Sequence, residues 1–258
     1  MRRSFLLIVA GVACAGFIHA ADAPLPKAET LLDGYIDATG GKAAYEKRKS
    51  EIMHGTIEFA ANGMKGTVTT YSDVSNNNYT VVDIEGVGKI ESGVYNGQPW
   101  ELSSLQGARL RTGSEMADAV RDATFNGPVY WRKLYDKAET TGLEDVNGEA
   151  AYKVVLTPSV GKPQTVYFSK KSGFMIKRVA TVSNPMGEIP MEMGLANYKE
   201  FGGVQVPTSM TQKVMGQEFA ITLLDLKTNT EIPKDRFEPP AEIKKLMEKP
   251  APAAAPAK

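Results

Sequence analysis

The sequence contains few of the side chains that carry most enzyme chemistry. Its 258 residues include one cysteine, Cys14, and two histidines, His19 and His54. A zinc site of the H-E-x-x-H type is excluded, because it needs two histidines four residues apart on one helix. The 30 Lys and Arg balance the 30 Asp and Glu, so the basic excess typical of nucleic-acid binding is missing. We therefore expect no nucleic-acid partner, no metal and no other cofactor.

The first 20 residues have the pattern of a secretory signal peptide. Arg2 and Arg3 precede an uncharged, mostly apolar run over residues 4–18, and Ala20 is a small residue at the expected cleavage point. The run is shorter than the roughly 18–20 residues that a membrane-spanning helix needs. This pattern predicts a periplasmic protein. An uncleaved membrane anchor is one alternative, and lipidation at Cys14, after a loose lipobox, is another.

The sequence after the predicted signal peptide offers little support for a catalytic site. Removal of the leader would leave no cysteine nucleophile, and a Ser-His-Asp triad could use only His54, which the strand pattern places at the surface. The segment Gly86-Val-Gly-Lys89 lacks both the first glycine and the final Ser or Thr of a phosphate-binding loop. A carboxylate pair such as Glu188 and Glu192 leaves glycosidase-type catalysis open, although 30 acidic residues supply many such pairs. We expect a protein that is not an enzyme.

Hydrophobic periodicity predicts one domain over residues 21–245, followed by a disordered Pro/Ala tail at 246–258. Helical spacing over residues 27–38 gives way to alternating strands from Met53 onward, separated by Asn-Gly and similar turns. Two helical segments, at 112–123 and 128–135, interrupt the strands. The predicted fold class is α+β, mostly β. We expect an unclosed antiparallel β-barrel of about eleven strands, with an N-terminal helix and the inserted lid helices over its concave face.

Several segments resemble the LolA-like superfamily of periplasmic lipoprotein carriers. They are the hairpin VNGEAAYKVVL at 146–156, the segment VYFSKKSG at 166–173, the ending NTEIPKDRFEPP at 229–240 and the opening LLDGYIDATGG at 31–41. The similarity extends over about residues 27–241, and its motifs are turns and strand patterns. The resemblance implies an eleven-stranded unclosed barrel with a helical lid, whose hydrophobic cavity takes the acyl chains of lipoproteins or lipids.

The function implied by this resemblance is sorting of lipoproteins or lipids towards the outer membrane. The expected partners are lipoprotein acyl chains or lipids, with inner- or outer-membrane lipoprotein machinery, and the expected state is a monomer. The alternative is a non-enzymatic periplasmic binding or sensor module that docks a partner protein through an open sheet edge.

The strand and helix patterns predict which residues line a lipid cavity. Met191, Met193 and Leu195 alternate onto one face of a strand, and flexible thioether chains suit a pocket for varied acyl chains. An ordinary core position is the alternative for each of these side chains. The predicted lipid-cavity residues are Met53, Ile57, Phe59, Met116, Val120, Trp131, Leu134, Val154, Leu156, Met191, Met193, Leu195, Val206, Met210, Phe219 and Ile221.

Three arginines, Arg109, Arg111 and Arg121, flank the first inserted helix. Contacts with lipid phosphates or with the lid are one interpretation of these charges, and a solvated face is the simpler one.

Overall fold

The computed structural model describes residues 24–184 and 187–248, and this part of the chain folds mostly into β-strands. The predicted signal peptide, Cys14 and residues 249–258 of the predicted tail lie outside the described residues. The strands are β1 (Ser50–Phe59), β2 (Lys65–Asp73), β3 (Asn78–Ile84), β4 (Gly88–Tyr95), β5 (Gln98–Ser103), β6 (Gly107–Leu110), β7 (Lys137–Val146), β8 (Glu149–Thr157), β9 (Gln164–Ser169), β10 (Met175–Asn184), β11 (Gly187–Phe201), β12 (Val204–Val214) and β13 (Gln217–Thr228).

Short helices accompany these strands. They are α1 (Ala28–Ala38), α2 (Lys42–Lys47), α3 (Gly113–Asp122), α4 (Trp131–Leu134) and α5 (Ala241–Met247), with 3-10 turns at Gly127–Tyr130 and Lys234–Phe237. Helices α1, α3 and α4 fall within the segments that the sequence predicts to be helical. Helix α5 ends at Met247, two residues beyond the predicted end of the domain.

All thirteen strands form a single antiparallel sheet in the order β6-β5-β4-β3-β2-β1-β13-β12-β11-β10-β9-β8-β7. Consecutive strands pair except for β6 and β7, which lie at the two edges, and the pairing of β1 with β13 joins the first strand to the last. The sheet is larger than the predicted eleven strands. One of the additional strands is β6, whose four residues Gly-Ala-Arg-Leu are too few to show an alternating pattern.

Helix α3 shows that this sheet is strongly curved. It contacts both β5 and β10, which are eight places apart in the strand order. In a flat sheet such strands would be separated by roughly 38 Å, whereas a ten-residue helix is only about 15 Å long. The sheet therefore curls around α3, and in the described part of the chain its edge strands β6 and β7 do not pair. This is the predicted unclosed barrel, with α3 on its concave face.

Helix α1 covers the other end of the concave face. Its buried side chains Leu32 and Ile36 belong to one core cluster with Val154 of β8 and with Val166 and Phe168 of β9. Tyr35 adds an aromatic contact, with its ring centroid 5.5 Å from that of Phe168. The N-terminus of α1 has no side-chain cap. Burial of this apolar stripe on the sheet is therefore the main contribution that stabilises the helix and fixes its position.

The convex face has a smaller core of its own. Trp100 of β5 is fully buried and forms an edge-to-face contact with Tyr79 of β3, at a centroid distance of 5.1 Å. Its strand neighbour Glu101 points to the opposite, concave side, since successive side chains alternate. Helix α5 packs against β5 and β6, and its Ile243 is fully buried. The C-terminal segment thus covers apolar surface that would otherwise face solvent.

Candidate ligand-binding site on the concave face

An apolar cleft of about 230 Å³ lies between α1, α4 and strands β8–β10, and we call it the lid cleft. Trp131 and Leu134 of α4 form one wall. The sheet contributes Leu156, Val166 and Met175 to the opposite wall. The cleft remains because α4 is a single turn that covers only part of the curved sheet.

Trp131 is held in place by polar contacts at the edge of the lid cleft. Its indole Nε1 donates to Oδ1 of Asp33 in α1 over 3.1 Å. The guanidinium of Arg132 donates to both carboxylate oxygens of Asp33, at 2.8 and 2.7 Å. These Arg132 hydrogen bonds hold the pKa of Asp33 below its ordinary value, with the indole bond adding to the effect. The contacts connect α4 to α1 across the cleft.

A second cleft of about 230 Å³ lies beside β1, β12 and β13, and we call it the barrel cleft. Its apolar walls include Met53, Val206, Leu223 and Leu226. The two clefts share three lining residues, namely Tyr35, Gly127 and Pro128. They therefore adjoin each other along the concave face.

The tyrosines between the clefts stay neutral at physiological pH. Burial raises the pKa of Tyr35 well above its ordinary value and also raises the pKa of Tyr45. Burial likewise raises the pKa of Tyr135, which lines the lid cleft. No ionised phenolate is expected at these cleft walls.

A third cavity, of about 390 Å³, lies between α3 and the sheet, and we call it the arginine pocket. Arg109 donates a bidentate pair of hydrogen bonds to Glu115 of α3, at 2.9 and 2.8 Å, and a further one to Glu101 over 3.2 Å. Arg111 also donates to Glu101, over 2.8 Å. The hydrogen bonds that Arg109 donates to Glu115 raise the pKa of Arg109 above its ordinary value. These contacts tie α3 to the β5–β6 end of the sheet.

The opposite end of α3 is held by two more arginines. Arg178 of β10 donates to Asp122 at 2.9 and 3.1 Å and to Oε1 of Gln164 at 2.5 Å. Arg121 pairs with Asp118 and donates to the carbonyl of Val160 over 3.1 Å. No residue of α3 is fully buried, so this helix is held over the sheet mainly by ion pairs. The arginines on this helix and beside it are therefore paired and largely buried, and the solvated-face interpretation does not hold for them.

The sequence-predicted cavity residues fall into three groups in the structure. Five line the two clefts, namely Met53, Trp131, Leu134, Leu156 and Val206, and Met191 lines the arginine pocket. Half-buried residues on the concave side of strands β1 and β11–β13 do not line these three cavities; they are Phe59, Met193, Leu195, Met210, Phe219 and Ile221.

The third group lies in filled or exposed positions. Val154 is completely buried in the core below α1, and Ile57 is 6% exposed in β1. On α3, Met116 is 36% exposed and Val120 is half-buried, and neither lines the three cavities described above. The structure thus brings together about a third of the predicted set.

Several cleft residues are missing from the sequence-based set. Leu32, Tyr35, Val166 and Met175 line the lid cleft. The helical spacing of Leu32 and Tyr35 marks both as buried, but that spacing does not show that α1 lies on the concave face. Arg178 is a further omission, because its partner Asp122 is 56 residues away in the sequence.

Two further features were sought among the described residues. Within residues 24–184 and 187–248, no three His, Cys, Asp or Glu side chains are grouped so as to hold a metal ion. Among the described helices, none has the length and apolar character needed to cross a membrane.

Comparison with solved structures shows that the chain has the LolA-like fold. A LolA superfamily protein from Nitrosomonas europaea aligns with a TM-score of 0.56 and 13% identity, over 83% of this chain and 99% of that one. A putative outer membrane lipoprotein-sorting protein domain from Vibrio parahaemolyticus aligns with a TM-score of 0.55 and 14% identity, over 86% and 100% of the two chains. A DUF1329 family protein from Desulfovibrio piger gives a TM-score of 0.56 at 14% identity, over 82% of this chain and 97% of that one.

Similarity at the level of sequence is much weaker. No protein-family model matches the chain, and no curated protein sequence matches it significantly. The structural similarity confirms the fold that the sequence motifs predict, and it leaves the ligand to be argued from the site itself.

Proposed function

We propose that this protein is a non-enzymatic periplasmic carrier that binds the acyl chains of lipoproteins or lipids and takes part in sorting them towards the outer membrane. In this proposal it acts as a monomer and exchanges its cargo with membrane lipoprotein machinery. The fold is shared with a LolA superfamily protein and with a lipoprotein-sorting domain. That likeness is supporting evidence, and the clefts of this chain are the main ground for assigning the function.

The main supporting observation is the pair of adjoining apolar clefts on the concave face. Each has a volume of about 230 Å³, and together they come within the range of roughly 300–1,000 Å³ that is usual for small-ligand sites. Burial of one methylene group contributes about 0.8 kcal/mol, so a chain that occupies both clefts gains enough to offset the entropy lost on binding. An acyl chain needs no charged partner, and most of the lining surface of both clefts is apolar.

The edge-docking alternative gains no support from strand β7. This edge strand carries the exposed charges Lys137, Glu139 and Glu144, and a bulge interrupts its register between Thr140 and Gly142. Charges and bulges of this kind discourage the addition of a further strand. The concave face is therefore the better candidate for binding.

Native mass spectrometry of the full chain tests the proposal. The protein is expressed with its leader, purified from the periplasmic and membrane fractions, and weighed before and after extraction with organic solvent. We expect a mass excess that corresponds to one acyl lipid per chain and that disappears on extraction. An identical mass before and after extraction, together with no uptake of added fatty acid, would contradict the proposal.

A further inference from the structure

Three connections between strands expose large apolar side chains at the same end of the sheet. Because the sheet is antiparallel, the connections β5–β6, β8–β9 and β12–β13 all lie at one end, which we call the upper end. Leu105, Val160 and Met215 in these connections are 76%, 55% and 57% exposed. We call these three residues the apolar rim.

The opposite end of the sheet has mostly polar turns. Asn96-Gly97 joins β4 to β5, Asn147-Gly148 joins β7 to β8, and Gly202-Gly203 joins β11 to β12. Val74 is the one large apolar side chain that is exposed in the described connections at this end. Exposed apolar tips are thus concentrated at the upper end.

Met215 is an unfavourable residue for the turn that it occupies. Met215 and Gly216 form the two-residue turn between the paired residues Val214 and Gln217, with φ of 52° and 74°. Such a turn favours Asn, Asp or Gly at its first position. Every other non-glycine residue with positive φ within residues 24–184 and 187–248 is an asparagine. Since the side chain of Met215 is mostly exposed, neither the turn nor the core accounts for it, and a contact outside the chain would.

The charges beside the apolar rim are balanced. Three exposed ion pairs flank it, namely Lys89–Asp83 at 3.8 Å, Lys162–Glu188 at 3.0 Å and Lys213–Glu218 at 3.3 Å. A surface that recognises anionic lipids carries clustered Lys and Arg instead. These pairs carry no net charge, so the rim favours an electrically neutral partner.

The spacing of the three tips matches a flat partner. Four strands separate the β5–β6 hairpin from the β12–β13 hairpin, and two strands separate the latter from the β8–β9 connection. The tips are therefore distributed around the curled sheet. A protein interface normally has one contiguous apolar core. Separate apolar side chains can instead each enter the headgroup region of a bilayer, where binding increases with the apolar area buried.

We propose that the apolar rim docks this protein on the surface of an electrically neutral, zwitterionic lipid bilayer. Its three side chains enter the headgroup region, and the flanking ion pairs remain in water. The aromatic pair Phe59 and Phe219, with ring centroids 5.5 Å apart, lies on the concave side near the same end. Docking there turns this end of the concave face towards the membrane. The inference goes beyond the proposed carrier function, because docking requires no bound cargo.

Flotation with phosphatidylcholine vesicles tests the proposal. The full chain is expressed with its leader, purified from the periplasmic fraction, and centrifuged through a density gradient with the vesicles. We expect the protein to float with them, also in salt of about 1 M, which screens charges beyond roughly 3 Å. Added phosphatidylglycerol should not increase the bound fraction. Failure to float, or binding that needs phosphatidylglycerol and is lost in salt, would overturn the proposal.

Substitutions connect the binding to the rim. Met215→Asn removes the apolar side chain and supplies a residue that the turn favours, so it should weaken vesicle binding by about tenfold and raise the melting temperature. Val160→Ser should weaken binding to a similar extent. The matched control is Val74→Ser, which makes the same change at 55% exposure at the opposite end and should bind as the parent does. Parental binding by both folded rim variants would overturn the assignment to the rim.

The outcomes separate docking from cargo binding. All three variants should keep the parental affinity in a fluorescent fatty-acid displacement assay, because none of the substituted residues lines the lid cleft or the barrel cleft. A protein that floats but takes up no fatty acid contradicts the carrier function and supports docking, and the reverse result contradicts docking alone. Rim-dependent capture of a protein partner without flotation would show a protein-docking surface and would overturn the proposal.

Discussion

Replacement of Gly127 by leucine is expected to block the clefts on the concave face without disturbing the fold. Gly127 lines both the lid cleft and the barrel cleft. A Cβ added there would meet only Leu134 Cδ1, at the ordinary contact distance of 3.8 Å, and the backbone has no left-handed φ at this position. The added side chain therefore fits without a clash, and it occupies part of the volume of the two clefts.

The expected loss of affinity follows from the cleft volume that an acyl chain can no longer occupy. Beyond its Cβ a leucine carries three carbons, which displace about three methylene groups of the ligand. At roughly 0.8 kcal/mol for each methylene, the loss is about 2.4 kcal/mol, or about a 50-fold weaker affinity. A fluorescent fatty-acid displacement assay on the purified protein measures this change.

The matched control is Gly142→Leu, which adds the same side chain where nothing lies within 4 Å. Gly142 is in the edge strand β7, away from both clefts. The control should bind fatty acid as the parent does, and both variants should melt within a few degrees of it. An unchanged affinity in a well-folded Gly127→Leu protein would refute the placement of the acyl chain in these clefts.

Three further predictions concern stability. Gly34→Ala in α1 should raise the free energy of unfolding by about 0.5–1 kcal/mol in a urea titration, because Gly34 has open space for a Cβ and glycine is unfavourable inside helices. A free energy of unfolding below that of the parent would mean that the position needs glycine. Ile243→Ala in α5 should lower the free energy of unfolding by roughly 2–5 kcal/mol, because it removes a fully buried side chain from the convex core, and it should leave lipid affinity intact. Loss of lipid binding in the folded variant would show that the convex and concave faces are coupled. Asp33→Asn should lower the melting temperature at neutral pH, and the melting temperatures of variant and parent should converge in acid. Hydrogen bonding to Arg132 lowers the pKa of Asp33, so this stabilisation is complete above the ordinary value of 3.8 and is lost as the pH falls through the lowered pKa. A difference in melting temperature that persists in strong acid would point to a steric cause.

Much of the fold is predictable because its local signals agree with its topology. The hairpin at Asn147-Gly148 forms as predicted, with φ of 54° and 87° at the two positions, as the two-residue turn requires. Helices α1 and α3 follow from their hydrophobic spacing. Strand β6 does not, since a four-residue strand is held by its pairing with β5 more than by its own pattern.

The candidate site is less predictable, because alternation shows which face a side chain occupies and leaves open whether that face is filled. Val154 and Leu156 are two residues apart on the same face of β8, yet Val154 is sealed in the core and Leu156 lines the lid cleft. The difference depends on where α1 and α4 end above the sheet. The arginine pocket depends on pairs such as Arg178 with Asp122, which only the curl of the sheet brings together.

Photoaffinity labelling tests the central claim most directly. The protein is loaded with a fatty acid that carries a diazirine near the end of its tail, irradiated, and digested for peptide mapping by mass spectrometry. The account predicts labels on concave-face residues such as Leu32, Met53, Trp131 and Val206, with competition by unlabelled fatty acid. Labels concentrated on outer positions such as Met215 or Leu224, which are 57% and 66% exposed, would contradict it.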